Sequence, residues 1–419
     1  MDFGISKEQQ MLKKEARNFL EKECPEELVR EMERGNAGHS PDLWRKIADL
    51  GWLGLPFPET YGGLGGDLID QMLIFEEMGR AMFPGPYLST VTLCGSIILA
   101  AGTEEQKKEW LTKISDGALI CALAVTEPDG AWGDRAWDAE GIELAAVKDG
   151  GDYVLNGTKL FVHDAVAADI IFCAARTKPS EKAEDGITIF AVDTGARGLT
   201  IEPLKTIAND KQCEVVFDGV RVPKSAVVGP VGGGWPFVYQ AIQHGAVMLC
   251  AQMVGAGEEL LRLSVDHAKS RVQFDAPVGI NQYVQGHCTD LVSDVEGCRY
   301  VTCQAAWRLS RSMPAEYETA AAKAWTGEAF ERACLAAHAV LAGYGYTSKD
   351  GVIPMYSRRG KTQQLYLGNT DYWLGKIADH LETWTFERPK GKPLGLWKTP
   401  PDEETPDWDV WTPEDILEV

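Results

Sequence analysis

The chain has 419 residues, 45% of them apolar, and a formal net charge of -21. That length provides for about two or three domains around a large core. The acidic excess argues against nucleic acid or an anionic membrane surface as a partner, because both call for a basic footprint.

The N-terminus, MDFGISKEQQMLKKEARNFL, interleaves charges with apolar residues and has no signal-peptide layout. No apolar run approaches the ~18 residues of a membrane span. The 10 cysteines show neither CxxC nor a Cys/His ligand spacing, which fits small apolar thiols in a reducing cytoplasm and no metal site. Cys298 and Cys303 read as two faces of one helix. HExxH, GxxxxGK and GxSxG are absent.

From Ser6 to about Gly117 the pattern is helical. Ser6 with Gln9 forms a capping box, Ser40-Pro41 opens another helix, and Thr103 with Gln106 opens a later one. GWLGLPFPETYGGLGG, from Gly51 to Gly66, is a loop. Asp70–Met82 then presents Met72, Phe75, Met78 and Met82 on one face. Glu76, Glu77 and Arg80 are expected on a solvated face, or paired with one another. Thr90–Ala101 follows as a further helix.

From Cys121 to about Val228 the period changes to two. IELAAV, YVLNG, DIIFCAA, ITIFAV, LTIEP and CEVVF read as strands separated by turn-forming segments. Their close spacing without intervening helices predicts an antiparallel sheet or small barrel, not a Rossmann fold. CALAVTEPDG is a strand ending in a polar turn, and Asn156-Gly157 is a hairpin signal. These are ordinary turns of a β-domain, or an edge where backbone amides and hydroxyls receive a planar ligand.

Pro230–Gly234 is a linker. Phe237–Ser270, Asn281–Ser310, Ala315–Gly343 and Lys361–Thr383 then read as a bundle of roughly four long helices. The all-round apolar character of Ala246–Gly257 points to burial on several sides, as at the centre of an oligomer. The expected architecture is mainly α with a central β domain. A helical domain spans 1–120, a β-barrel or sandwich 121–229, and a helical bundle 230–384. An acidic Trp/Pro-rich tail, 385–419, is expected to pack Trp397, Trp408 and Trp411 on the body or on a partner subunit.

That order, with LAVTEP opening the β-domain, NGTKLFVHDA within it and SRVQF on the long bundle helix, resembles the acyl-CoA dehydrogenase superfamily over about Met1 to Thr383. The resemblance implies FAD as cofactor, α,β-desaturation of an acyl-CoA, and electrons passed to an electron-transfer flavoprotein. It implies that Thr126 hydrogen-bonds the flavin ring, that Phe161 flanks it where tryptophan is more usual, and that His163 stands beside its hydride-accepting nitrogen where a hydroxyl residue is usual. Read without the resemblance, His163 is a surface loop histidine. Arg271 and Phe274 match residues that serve the cofactor of a neighbouring subunit, as Asn369 also would. Arg271 alone reads as an arginine on a solvated helix end.

The departures from the family pattern concern the same site. Asp275 replaces the glycine that ends the motif of Arg271 and Phe274 and puts an anion near the phosphates, Ala339 and Ala342 replace a glutamine and a glycine that help hold the cofactor's adenine half, and Trp132 stands where a serine contacts the coenzyme A phosphates or the acyl arm. Leu367 occupies the position of the usual catalytic glutamate. An alternative glutamate position on the long bundle helix falls at about Gly245. A third, aspartate-bearing segment offers only Tyr87, Ser89, Thr90 and Thr92. His244 is the one candidate base, an imidazole able to take a proton, or else a satisfied core histidine. The chain is then an enzyme acting on a bulky, cyclic or polar acyl group, a partner subunit whose sister chain carries the complete site, or a protein turned to chemistry without an α-proton base. A homo- or heterotetramer is expected.

Overall fold

Ser6 and Gln9 close their capping box at the start of α1, Lys7–Glu23, each side chain bonding the other's backbone N–H. The computed structural model describes residues 4–130, 135, 137–346 and 351–383, so Trp132 and the three tail tryptophans lie outside the described residues. Met1–His380 forms one compact unit and Leu381–Val419 another. The elements below belong to the first, apart from the final turn of the last helix.

The helical N-terminal part continues with α2, Glu26–Arg34, and with α3, Pro41–Asp49, capped by Ser40. Next come α4, Leu68–Arg80, a π-helical segment Leu88–Cys94 running into α5, Gly95–Ala101, and the short α6, Glu104–Gln106, and α7, Thr112–Ser115. Met72, Phe75, Met78 and Met82 are buried as their spacing predicts. The opposite face of α4 corrects the expectation of a solvated surface, because Glu76 and Glu77 are also buried. Glu77 takes a fork from Arg17 and a second contact from Arg80, while Glu76 pairs with Lys13 and Arg299. Such burial is sustained only by full pairing. The Glu77–Arg80 contact is the local pairing expected as the alternative, whereas Lys13 and Arg17 lie on α1 and Arg299 on a helix over two hundred residues away, out of reach of any local pattern.

The β-domain is an 8-stranded sheet. Its strands are β1 Cys121–Ala124, β2 Ala145–Asp149, β3 Asp152–His163, β4 Ile170–Arg176, β5 Ile187–Asp193, β6 Leu199–Pro203, β7 Gln212–Pro223 and β8 Val227–Val228. The path runs β6-β7-β3-β2-β4-β5-β8, and β1 and β2 each pair with β4 in parallel, exceptions to the antiparallel pattern. Asn156-Gly157 is not a hairpin turn: it lies inside β3, at a bulge where the register against β7 shifts between Leu155 and Gly157. The Asn156 carboxamide accepts from Gly219 N across the sheet. The hairpin is instead made at Gly150-Gly151, between Asp149 and Asp152.

The C-terminal part consists of α8, Trp235–Ser270, a small ribbon of β9, Val272–Gln273, and β10, Ala276–Pro277, then α9, Gln282–Ser310, and α10, Glu316–Leu341. After the short α11, Gly343–Tyr346, come α12, Val352–Leu365, and α13, Thr370–Thr383. The single helix expected over Lys361–Thr383 is therefore two, broken at Tyr366–Asn369, where Leu367 and Gly368 have φ of 58° and 100°. Ala246–Gly257 is largely buried, with α4, α9 and α10 of the same chain packed around α8. Among the described residues no helix is long and apolar enough to cross a membrane, no metal-ligand cluster occurs, and all 10 cysteines are free.

Candidate active site

β1 delivers its chain into Thr126-Glu127-Pro128, and β3 runs beside it. Thr126 is buried; its hydroxyl donates to Leu160 O at 2.5 Å, while Leu160 N donates to Thr126 O at 2.9 Å. One residue earlier, Lys159 is fully buried and gives its ammonium to Glu127 Oε1 at 2.6 Å and Val125 O at 2.8 Å. The Glu127 carboxylate also accepts from Glu143 N and Leu144 N. This charged knot ties the turn to the strand. Beyond it the register shifts again, between Lys159 and Val162, and Phe161 takes φ of 54°. A bulge of this kind re-aims a side chain, and Phe161 leaves the ladder 39% exposed.

His163 closes β3. Its ring stacks on Tyr366 with centroids 3.7 Å apart, and Asp210 lies 3.7 Å from its Nε2. Nε2 is buried and has no hydrogen-bond partner among the described residues. Burial holds the imidazole below its ordinary pKa, against the opposing pull of Asp210 and Asp164, so His163 is neutral near pH 7. It is not the surface loop histidine of the alternative reading. The next residue, Asp164, accepts from Ser89 Oγ, and burial raises its carboxyl above the usual range.

Tyr366 belongs to the opposing wall, the break between α12 and α13. Lys323, buried on α10, holds that break by donating to Gln363 O, Gln364 O and Gly368 O at 2.8–3.0 Å. Burial lowers its ammonium to about 8. Trp373 Nε1 donates to Leu367 O at 3.1 Å. Leu367 is fully buried and faces α8: a Cβ on Gly245 would stand 2.5 Å from Leu367 Cδ1 and 2.6 Å from Leu93 Cδ2. The two positions that resemblance marks for a carboxylate thus touch each other, and both are apolar.

His244, one residue earlier on α8, is turned about 100° from Gly245. It lines a cleft of about 700 Å³ with Gln71, Thr92, Ser96 and Gln243. His163 and Tyr366 line a different cavity, of about 130 Å³, with Leu88, Asp210 and Arg359. The structure therefore brings Thr126, Phe161 and His163 together around the end of β3, where His163 lines the cavity shared with Tyr366, and leaves His244 in a separate cavity. Arg271 and Phe274 line neither. Arg271 ends α8 and lies 5.3 Å over the Tyr344 ring, while Phe274 is 99% exposed on the turn between β9 and β10. Asn369 uses its side-chain oxygen to cap α13, accepting from Tyr372 N at 2.9 Å.

Burial lowers the His244 pKa to about 4 from 6.5. Between those values the unfolded chain binds more protons than the folded one, so this group's share of stability is present above pH 6.5 and is lost as pH falls toward 4, by up to about 3 kcal/mol. His244→Gln is expected to flatten that part of the curve, measured as urea midpoints at about pH 5 and about pH 7.5.

Residues 6–118 match the acyl-CoA dehydrogenase N-terminal domain, 122–220 the middle domain and 232–382 the C-terminal domain. An acyl-CoA dehydrogenase of Bacillus subtilis (strain 168) is 32% identical over 374 residues, which is 88% of this chain and 96% of that protein. The chain belongs to the acyl-CoA dehydrogenase family. Butyryl-CoA dehydrogenase from Megasphaera elsdenii shares its fold with a TM-score of 0.82 at 30% identity, covering 91% of this chain and 100% of that one. A chain of the ChsE4-ChsE5 complex from Mycobacterium tuberculosis gives a TM-score of 0.82 at 26% identity, covering 92% and 100%.

Members of this family are oxidoreductases acting on CH–CH bonds with FAD as cofactor. The wall described above fits a flavin ring: an unpartnered buried imidazole nitrogen at His163, the Thr126 hydroxyl, and Phe161 turned out of the ladder beside them. Sequence reasoning passed over the supports of that wall. Lys159 sits at the inward parity of β3, with Tyr153 and Leu155. A lysine at an inward strand position signals a buried anion, and Glu127 was available in the adjoining turn. Tyr366 and Lys323 carried no local signal, since each acts on chain that is distant in sequence.

Proposed function

We propose that this chain is an FAD-dependent acyl-CoA dehydrogenase that introduces an α,β double bond into a bulky, cyclic or polar acyl-CoA and passes the electrons to an electron-transfer flavoprotein. The observation that carries the reading is the buried, unpartnered Nε2 of His163, set on the Thr126–Phe161 wall and facing Tyr366. FAD, when bound, supplies the hydride-accepting centre. Thr126 and neutral His163 orient the ring by hydrogen bonds, and Phe161 shields its flank. Arg271, Phe274 and Asn369 are assigned to the cofactor across a subunit interface of a tetramer. The full exposure of Phe274 supports that assignment, because an aromatic ring on a turn is costly to leave in water. Free and mostly buried thiols support a cytoplasmic setting.

We assign the α-proton to an imidazole nitrogen of His244, an assignment that requires its cleft and the separate His163–Tyr366 cavity to open to each other when substrate binds. It is unprotonated near pH 7 and adjoins Gly245, which touches Leu367 at the family's glutamate position. One observation favours a second reading. Leu93, Gly245 and Leu367 fill the space where either carboxylate would stand, as befits a partner subunit that completes a sister chain's site without doing chemistry itself.

Purification of the chain alone and with the product of its neighbouring gene separates the two. A yellow protein whose flavin bleaches with an acyl-CoA is expected. Absence of flavin absorbance in both preparations would defeat the enzyme reading. With a yellow protein in hand, His244→Ala should slow bleaching by about a hundredfold or more, the usual scale for losing a positioned base. Unchanged bleaching removes His244 from the mechanism.

A further inference from the structure

We propose that Lys323 is a positioning residue of the site: by gathering three carbonyls of the α12–α13 break, its ammonium sets Tyr366 against His163, so that the reaction depends on the charge of a side chain remote from the reacting atoms. This rests on the reading of the chain as an acyl-CoA dehydrogenase and deepens it.

Lys323 is 1% exposed on α10. Lys159, the second wholly buried lysine among the described residues, has Glu127 for a partner. Lys323 has no carboxylate among the described residues; its ammonium meets Gln363 O, Gln364 O and Gly368 O at 2.9, 2.8 and 3.0 Å. A buried cation without a counterion is costly, and a neutral side chain of like length would fill the same space. Three carbonyls use the whole donor capacity of an ammonium, so the charge is matched to the break.

The break needs holding. Leu367 and Gly368 stand at φ of 58° and 100°. A non-glycine residue there persists where its surroundings over-determine it. Trp373 holds the Leu367 carbonyl, and Lys323 holds carbonyls on both sides of Tyr366. The Tyr366 ring stacks on His163, whose unpartnered Nε2 is assigned to the flavin. Leu367, from the same break, packs against Gly245, next to His244. One ammonium thus fixes the neighbours of both imidazoles.

This arrangement responds to charge. The ammonium donates three hydrogen bonds, whereas the neutral amine donates two and turns a lone pair toward the third carbonyl. Burial brings that change to about pH 8. The titratable group acting on Lys323 is Cys250 of α8, and burial pushes its thiol up to about 11, so it stays neutral through that range. From α12 and the break, Lys323 meets the three carbonyls, and among the described residues no charged side chain of α9 acts on it. His244, with its pKa at about 4, supplies no alkaline limb. Between about 8 and 10.5 the unfolded chain binds more protons at this lysine than the folded one, so its share of stability grows with pH. A loss of rate in that range is then not unfolding.

The test uses the full-length, FAD-loaded protein between about pH 6.5 and 9. Two signals are read: the rate of flavin bleaching at saturating acyl-CoA, and the near-ultraviolet circular dichroism, to which Tyr366 and Trp373 contribute. The parent's rate is expected to fall about fivefold to tenfold across a midpoint near pH 8, and the aromatic signal to change with it. Lys323→Gln, neutral with two donors, should already be slower at pH 7 by about tenfold to a hundredfold, the scale of a small misplacement. It should show no midpoint near 8 and should bind a non-reactive thioether analogue of the acyl-CoA as the parent does. A level rate in the parent, a midpoint that persists in Lys323→Gln, or analogue binding lost in parallel with rate overturns the proposal. If Lys323→Gln does not fold, the parent's aromatic signal decides: a transition near pH 8 supports the proposal and a level signal overturns it. Failure of the dehydrogenase reading shows differently: no bleaching with any acyl-CoA at any pH, while the aromatic signal still changes near pH 8.

Discussion

Lys159→Met is expected to cost about 3–5 kcal/mol of folding stability and to strip the protein of flavin. The lysine is fully buried, and its ammonium is shared between Glu127 Oε1 and Val125 O. Methionine matches much of the side-chain volume, so packing is largely kept and the loss is electrostatic. Among the described residues Glu127, 7% exposed, would keep only its two backbone donors, Glu143 N and Leu144 N, as an uncompensated buried charge. Because the pair ties the Thr126 turn to β3 just before the bulge at Phe161, the damage falls on the flavin wall. Adding Glu127→Gln removes the stranded charge and should recover part of the stability. Urea unfolding and the ratio of flavin to protein absorbance check both statements. A single variant of wild-type stability and full colour would show that the knot is dispensable.

Gly255→Ala is expected to be comparably severe, at about 3 kcal/mol or more, the upper range for overpacking. Its added Cβ would stand 1.7 Å from Glu76 O, and at Gly79, on the facing helix, the corresponding distance to Gln252 O is 2.0 Å. Both obstacles are backbone, so no rotamer change relieves them, and α4 and α8 would have to separate. Glu76 lies at that crossing with Lys13 and Arg299, so separation would also strain a buried ion network. Gly286→Ala, inside α9 with nothing near its Cβ, serves as the control. It should stabilise by about 0.5–1 kcal/mol, because glycine's conformational freedom is the main thing lost. Thermal melts of the two variants are expected to move in opposite directions.

Local signals proved reliable where the physics is local. The capping pairs Ser6/Gln9 and Thr103/Gln106 form as written, because cap and partner lie within one turn. The alternating runs became strands, because one face of each is buried. Two local signals misled. Asn156-Gly157 suits a tight turn, yet Gly219 N captures the asparagine and the bulge absorbs the glycine at φ of 143°. The stretch Lys361–Thr383 looked continuous, yet Lys323 gathers the free carbonyls at its middle and holds it open. In both places the deciding partner comes from another part of the chain.

The sequence alone determined the order of helical, β and helical parts, the family, and the apolar residue Leu367 at the position the resemblance marks for a carboxylate, since each depends on which residues follow which. Only the tertiary structure decided the state of the site. It showed that Leu367 is packed against Gly245 and Leu93, that His163 stacks on Tyr366, and that His244 lines a separate cleft. Those relations join segments more than a hundred residues apart, and burial and hydrogen-bond satisfaction are properties of what surrounds a residue rather than of the residue itself.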